Sequence, residues 1–162
     1  MATLQDLQDA SRLLDWDRET LMPTKGAAAR GHQVATLRAI RHRETLRDGV
    51  DEDMALIEAQ GDPTDEEHAM FALARHERTR AAKVPEGLVR AHGEALSDGL
   101  TTWLATRESG DFAAFAPTLE RVIALTREIG EAVAIGEEPY DGLLDDHERG
   151  TTRRELESLF AE

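Results

Sequence analysis

The chain has 162 residues, with 40% apolar and 32% charged side chains, two Trp, one Tyr, four Phe and no Cys. This composition predicts a single globular domain over residues 1–162, excludes disulfides and thiolate metal sites, and offers no apolar run of the ~20 residues that a membrane span needs. Because 33 Asp and Glu outnumber 19 Lys and Arg and leave a formal charge of −14, nucleic acid and anionic membranes are poor candidates for partners.

Helical spacing of apolar residues runs through almost the whole chain, and no segment alternates apolar and polar residues as a half-buried strand would. The first predicted helix covers about residues 3–20 and ends before Pro23, which lacks an amide donor and disfavours a helical residue before it. A second helix begins on three alanines after Gly26 and ends before Asp48. A short helical piece over about residues 52–59 follows.

Capping signals mark the helices that follow. Thr64, with Glu67 three residues later, forms a capping box that predicts a helix over about residues 65–82. Pro85 suits the first turn of a long helix, and Gly110 is typical of the position just past its end.

The last segments show the same signals. Asp111 is the predicted N-cap of another long helix that terminates at Gly136, and the interval 137–150 is predicted to be a loop. Thr152 and Glu155 form a second capping box at the start of a further amphipathic helix. The chain is therefore predicted to be all-α, an antiparallel bundle of about six to seven helices.

Known metal signatures are missing from the sequence. A helical zinc site needs two His four residues apart with Glu beside the first, and a di-iron bundle needs Glu three residues before His. His76 and Glu77 supply half of the zinc pattern, but the cation Arg80 stands where the second ligand would be. We therefore expect no catalytic or metal-binding residue among the six histidines, which are His32, His42, His68, His76, His92 and His147.

One short segment combines a large aromatic, two acids, a helix-stopping proline and a later cation. Its simplest interpretation is a buried Trp with capping and ion-pair chemistry at a tight interhelical turn, where Arg30 can reach Asp17 or Glu19. The residues of this constellation are Trp16, Asp17, Glu19, Met22, Pro23, Gly26, Arg30 and Gln33.

This constellation resembles the N-terminal region of the carboxypeptidase Taq family of metal-dependent carboxypeptidases. Later residues are similar to the family's middle segment and to a typical loop, and the likeness runs from Leu14 to the C-terminus. The later matches include Trp103, the segment 111–117, Tyr140, Asp141 and Asp145.

The resemblance implies the N-terminal, lid-like part of a larger helical metallopeptidase fold. Family members bind a divalent metal such as zinc or cobalt through a His-Glu-x-x-His helix and a downstream Glu, and they remove C-terminal residues from peptides. No position here matches those ligands, so no catalytic or metal role carries over. The matched residues are expected to be structural, and the chain alone is expected to be inactive.

Two functions stay open. The chain is a fragment or truncated homologue that forms a helical lid or groove wall, or it is a stand-alone interaction or regulatory module that binds itself or a partner protein. The coding sequence after Glu162 separates them, since an in-frame His-Glu-x-x-His favours the first and a stop codon the second.

We further expect a cytoplasmic protein, because the start of the chain lacks a signal-peptide pattern. We also expect a homodimer, because apolar residues of the last segments would otherwise be uncovered. A peptide substrate and a missing catalytic region are further candidate partners. The apolar residues in question are Tyr140, Leu143, Leu144, Leu156, Leu159 and Phe160.

Overall fold

The structure is a computed structural model that describes residues 2–61, 63–136 and 138–161. These residues form eight α-helices and one 3-10 turn, with a single isolated bridge between Ile135 and Glu138. The all-α prediction is confirmed. In chain order the helices are α1 (Ala2–Thr20), α2 (Ala27–Thr45), α3 (Val50–Gln60), α4 (Asp65–Lys83), α5 (Glu86–Arg107), α6 (Phe112–Val133), α7 (Pro139–Leu144) and α8 (Arg153–Phe160), with the 3-10 turn at Thr24–Gly26.

Both predicted capping boxes are present. The Thr64 hydroxyl accepts the Glu67 N–H at 3.3 Å while the Glu67 carboxylate accepts the Thr64 N–H at 2.8 Å. Thr152 and Glu155 make the same reciprocal pair at the start of α8. These bonds satisfy amide donors that the first turn of a helix otherwise leaves without partners.

The prediction of a loop over 137–150 is wrong, because α7 lies within it. Pro139 occupies the first helical turn, where its missing amide costs nothing. At six residues the helix is too short for apolar periodicity to identify it. Contacts with α6 therefore stabilise this short helix, which its local sequence does not predict.

The chain divides into two compact units, the first ending at Arg90 and the second beginning at Ala91. The boundary falls within α5, and the single-domain organisation of residues 1–162 stays a prediction. No helix within the described ranges is both long and apolar enough to cross a membrane.

The first unit is built on the hairpin of α1 and α2, with α4 also contacting α2. Small side chains of α2 form its core, since Val34, Ala35 and Ala39 are each 3% exposed or less. Met54 of α3 adds a larger buried side chain. Short side chains on α2 let neighbouring backbones approach closely.

The second unit joins α6, α7 and α8, with the remainder of α5. Ala95 and Val133 are its buried apolar residues, and glycines form the closest approach between helices. A Cβ on Gly130 would lie 3.2 Å from Leu143 Cδ1, and one on Gly142 would lie 2.5 Å from the Val133 carbonyl oxygen. Glycine at these positions is therefore what allows α7 to contact α6.

Candidate functional site

The turn between α1 and α2 holds the constellation that the sequence singled out. Asp17 Oδ2 lies 2.7 Å from Arg30 Nη1, so the predicted ion pair selects Asp17 rather than Glu19. The Asp17 main-chain carbonyl also accepts the N–H groups of Leu21 and Met22, which ends α1. These bonds fix the direction in which the chain enters α2.

Pro23 and Gly26 shape the rest of this turn. The Pro23 carbonyl accepts the Gly26 N–H at 2.7 Å, which closes the 3-10 turn. Met22 Cγ lies 3.3 Å from where a Cβ on Gly26 would be, so the methionine packs directly on the glycine. Glu19 and Gln33, the remaining members of the constellation, are exposed.

Trp16 is not the buried anchor that the sequence predicted. It is 55% exposed on α1, and Leu13, one helical turn earlier, is 62% exposed. Their spacing of three residues places both on one face of the helix. This face of α1 is apolar and open.

Asp15 of α1 forms a second group of ion pairs, with charged residues of α1 and α2. Arg18 Nη2 lies 3.0 Å from Asp15 Oδ1, without the angles of a hydrogen bond, and Arg38 Nη2 lies 3.8 Å from Asp15 Oδ2. The first pair lies within α1 and the second connects α1 to α2, and neither forms a pocket of converging reactive groups.

Trp103 lies on α5, where the Arg107 guanidinium carbon is 4.7 Å from its ring centroid. A cation over the face of an indole ring is stabilising. At 38% exposure the Trp103 ring is covered in part by its own helix neighbour.

The corner formed by α7 and the start of α8 brings together the other matched residues. Asp141 is 9% exposed, and its Oδ1 accepts the Arg153 N–H at 2.7 Å. Asp145 Oδ1 accepts the Gly150 N–H at 3.1 Å, which closes the loop between the two helices. Tyr140, in contrast, is 52% exposed. Asp141 and Asp145 therefore bond the start of α8 and the loop before it; their purely structural role stays a prediction.

The described residues do not bring three or more His, Asp or Glu side chains together as a metal site would require. His92 Nε2 lies 3.1 Å from Thr126 Oγ1, so it bonds a hydroxyl of α6. Burial lowers the pKa of His42 below its ordinary value, against the opposing effects of the Glu86 carboxylate and a bond to the Val84 main chain. Among the residues that the structure describes, the donor set does not fit a divalent metal.

A cavity of the first unit was not anticipated from the sequence. It has a volume of about 440 Å³ and opens between α1, α2, α3 and α4. Each of the four helices contributes only two to five lining residues, so no continuous motif marks it. Its wall includes Leu4, Gln8 and Arg12 of α1, Arg41 of α2, Met54 of α3, and Met70, Leu73, Glu77 and Arg78 of α4.

Comparison with known proteins gives a consistent family match. The sequence model of the family described as Carboxypeptidase Taq (M32) metallopeptidase matches residues 1–162. Thermostable carboxypeptidase 1 of Thermus thermophilus is 33% identical over an alignment of 168 positions, which covers 96% of this chain and 33% of that protein. The match therefore runs through nearly the whole of this chain and a third of the relative.

Solved structures agree. The crystal structure of BsuCP matches with a TM-score of 0.90 at 28% identity, covering 98% of this chain and 32% of that one. Trypanosoma cruzi Metallocarboxypeptidase 1 matches with a TM-score of 0.75 at 31% identity, again over 98% and 32%. The chain thus spans about a third of the length of the relatives that it matches.

Proposed function

The chain belongs to the carboxypeptidase Taq (M32) family of metallopeptidases, and from that premise we propose that it forms a helical lid or groove wall of such an enzyme. It is homologous to the N-terminal third of the family's carboxypeptidases. In this proposal the chain shapes the groove for a peptide substrate. Peptide hydrolysis takes place in a region that is not part of it.

The observation that carries the proposal is the correspondence of nearly the whole chain, with a TM-score of 0.90, to 32% of a relative's length. A segment that keeps its relatives' fold so closely is suited to the same structural place. In that position, exposed faces of its helices would contact the rest of the enzyme.

The exposed apolar side chains support this placement. Trp16 is 55%, Leu21 71% and Phe112 65% exposed. Soluble monomers rarely leave large contiguous apolar patches bare, and such patches mark surfaces that contact other protein. A catalytic region of the kind found in the family would cover faces like these.

In this proposal, the metal chemistry belongs to a region other than this chain. A family metal polarises the scissile carbonyl and lowers the pKa of the attacking water. Two of the histidines are engaged separately, His92 with Thr126 and His42 near Glu86. We assign no catalytic step to any residue of this chain.

A second candidate function is a stand-alone interaction module. It is favoured by the end of α8, where Leu159 is 64% and Phe160 80% exposed. Such a module would bind a partner, or another copy of itself, through the same surface that the lid hypothesis gives to the catalytic region.

The experiment is a peptidase assay on the purified chain with added zinc or cobalt, preceded by elemental analysis after dialysis. Thermostable carboxypeptidase 1 of Thermus thermophilus serves as the positive control. We expect no stoichiometric metal and no release of C-terminal amino acids. One tightly held metal per chain, or turnover that survives repurification and is lost on replacing a histidine, would contradict the proposal.

A further inference from the structure

We propose that the cavity between α1, α2, α3 and α4 binds a free aliphatic carboxylate, with Arg41 as the partner of the carboxylate group. This inference does not depend on the proposed function. All the residues that carry it belong to the first unit.

The apolar part of the cavity suits an alkyl chain. Met54 is only 6% exposed, whereas Met70 and Leu73 are 51% and 46% exposed, so the lining runs from a covered methionine to two open side chains. Leu4, Val50 and Ala74 complete this lining. Methionine side chains are flexible and polarisable, and they adapt to alkyl groups of varied length.

The size agrees with a small ligand. A volume of about 440 Å³ lies within the ~300–1,000 Å³ range of small-molecule sites. A saturated chain of about six to ten carbons is of the size that such a site accepts. Octanoate is therefore a suitable probe.

The charged part of the cavity favours an anion. Arg12, Arg41 and Arg78 line it with a single carboxylate, that of Glu77. Asp9 and Asp51, which pair with Arg12 and Arg78, do not line the cavity themselves. The lining therefore offers three guanidinium groups, which can form charge-assisted hydrogen bonds with an anionic headgroup.

Arg41 is the guanidinium best placed to bind it. Arg78 already donates to Asp51 Oδ2 at 2.8 Å and to the Thr45 carbonyl at 2.6 Å. Arg12 reaches its own helix neighbour, Asp9, at 3.4 Å on the exposed surface. Arg78 is thus committed to protein acceptors, whereas the side chain of Arg12 is 68% exposed and lies mostly in solvent.

Arg41 is less well bonded. Its Nη2 is 3.8 Å from Glu77 Oε2, beyond hydrogen-bond distance, and its Nε is buried with no partner among the described residues. The side chain lines the cavity and is 40% exposed, so the group as a whole is accessible to a ligand. A carboxylate would give this guanidinium charge-assisted hydrogen bonds.

The test measures octanoate binding by methyl NMR of methionine-labelled protein, with octanol as the uncharged analogue. We expect saturable, one-to-one shifts of the Met54 and Met70 methyls. The Met22 methyl, which packs on Gly26 away from the cavity, should not move. Octanol should bind about tenfold more weakly, because it forms no charge-assisted bond with Arg41.

Two variants and one control complete the experiment. Arg41→Gln should weaken octanoate binding about tenfold and remove the preference over octanol. Leu73→Trp, which adds bulk to the cavity wall, should abolish the shifts. Arg12→Gln, which removes another guanidinium of the same wall, should change the affinity less than twofold.

Several outcomes would overturn the proposal. They are the absence of saturable shifts, equal binding of octanoate and octanol, and equal affinity of folded Arg41→Gln. Parallel movement of the Met22 methyl would show that octanoate covers apolar surface without selecting the cavity. If Arg41→Gln fails to fold, the Leu73→Trp result and the octanol comparison decide.

Discussion

At Gly142 two segments of main chain come close together in the second unit. A Cβ there would lie 2.5 Å from the Val133 carbonyl oxygen and 2.8 Å from the carbonyl carbon. The obstacle is backbone, which cannot rotate away as a side-chain tip can. The neighbouring Asp141 is also held in place, because its buried carboxylate accepts the Arg153 N–H.

Replacing Gly142 with Ala should therefore destabilise the protein by about 1–3 kcal/mol, the usual cost of overpacking. Gly87→Ala is the matched control, since nothing lies within 4 Å of a Cβ at that helical position. The control should be neutral or stabilising by up to about 1 kcal/mol. Urea unfolding of the three proteins measures both effects, and wild-type stability of Gly142→Ala would disprove the close approach.

His42 gives a pH dependence of known sign. Its pKa in the folded protein is lowered by burial, whereas an unfolded histidine titrates near ~6.5. The unfolded state therefore binds the proton more readily than the folded state. The stability associated with neutral His42 is present above that value and is lost as pH falls through the folded pKa.

Urea midpoints between pH 7.5 and 5.5 test this prediction. The wild type should lose more stability over that interval than His42→Gln, which has no proton to take up at this site. The remaining histidines are common to both proteins and cancel in the difference. Parallel pH profiles would show that burial of His42 does not oppose its protonation.

At the scale of single helices, local signals and tertiary contacts contribute unequally. The long helices α1, α2, α4, α5 and α6 have 19 to 22 residues each, and their periodicity and caps were readable. The sequence of the short helix α7 shows no such periodicity. Isolated helices below about 12–15 residues are marginal in water, so α7 depends on the glycines that let it meet α6.

Helix α8 shows the same dependence, because it has eight residues. Thr152→Ala removes the acceptor of its capping box and should cost about 1 kcal/mol. The effect should be local, with faster amide exchange over residues 153–160 and little change in α6. Ser158→Ala, an exposed change in the same helix, is the control.

Hydrogen exchange by mass spectrometry distinguishes stabilisation of α8 by its cap from stabilisation by packing. Equal exchange in Thr152→Ala and Ser158→Ala would mean that packing holds α8 without its cap. Lowering the pH should also destabilise α8 and speed its amide exchange, as Thr152→Ala does. The Thr152 hydrogen bonds lower the pKa of Glu155, so the stability that they contribute is lost as pH falls through that lowered value.

For the molecule as a whole, the exposed surface is large. The chain exposes 11010 Å², whereas monomers of its mass expose about 8,000 Å². Even two separate proteins of half that mass would together expose about 9,700 Å². The excess agrees with helix faces whose partner lies outside this chain.

We expect that excess to cause association into a homodimer. Around α8, Tyr140, Leu156 and Phe160 line a groove with Arg153 and Glu157 at its edge. Identical apolar faces of this kind can cover each other under two-fold symmetry. Light scattering coupled to size exclusion should then report about twice 17.9 kDa at micromolar concentration.

Phe160→Asp should shift the mass toward the monomer, because it places a charge in the apolar contact. Leu13→Asp, at a similarly exposed position of the first unit, should leave the mass unchanged. A monomeric wild type that also fails to bind an apolar-surface dye would contradict both the dimer and the uncovered-face argument.

The sequence by itself determined the helical class, most helix positions, both capping boxes and the ion-pairing role of Arg30. These features depend on residues a few positions apart, and even Asp17 and Arg30 are separated only by a tight turn. Side-chain chemistry and spacing therefore contain the necessary information. The choice of Asp17 over Glu19 needed the helix faces to be oriented.

Only the tertiary structure decided the exposure of Trp16, the existence of α7 and the cavity beside Arg41. Burial of Trp16 depends on what packs against α1, which its own spacing does not specify. The meeting of four helices around Met54 joins residues far apart in the chain, and the close approach of Gly142 to Val133 depends on how α7 turns back onto α6. Such contacts arise from packing in three dimensions, and a single sequence leaves no local pattern that records them.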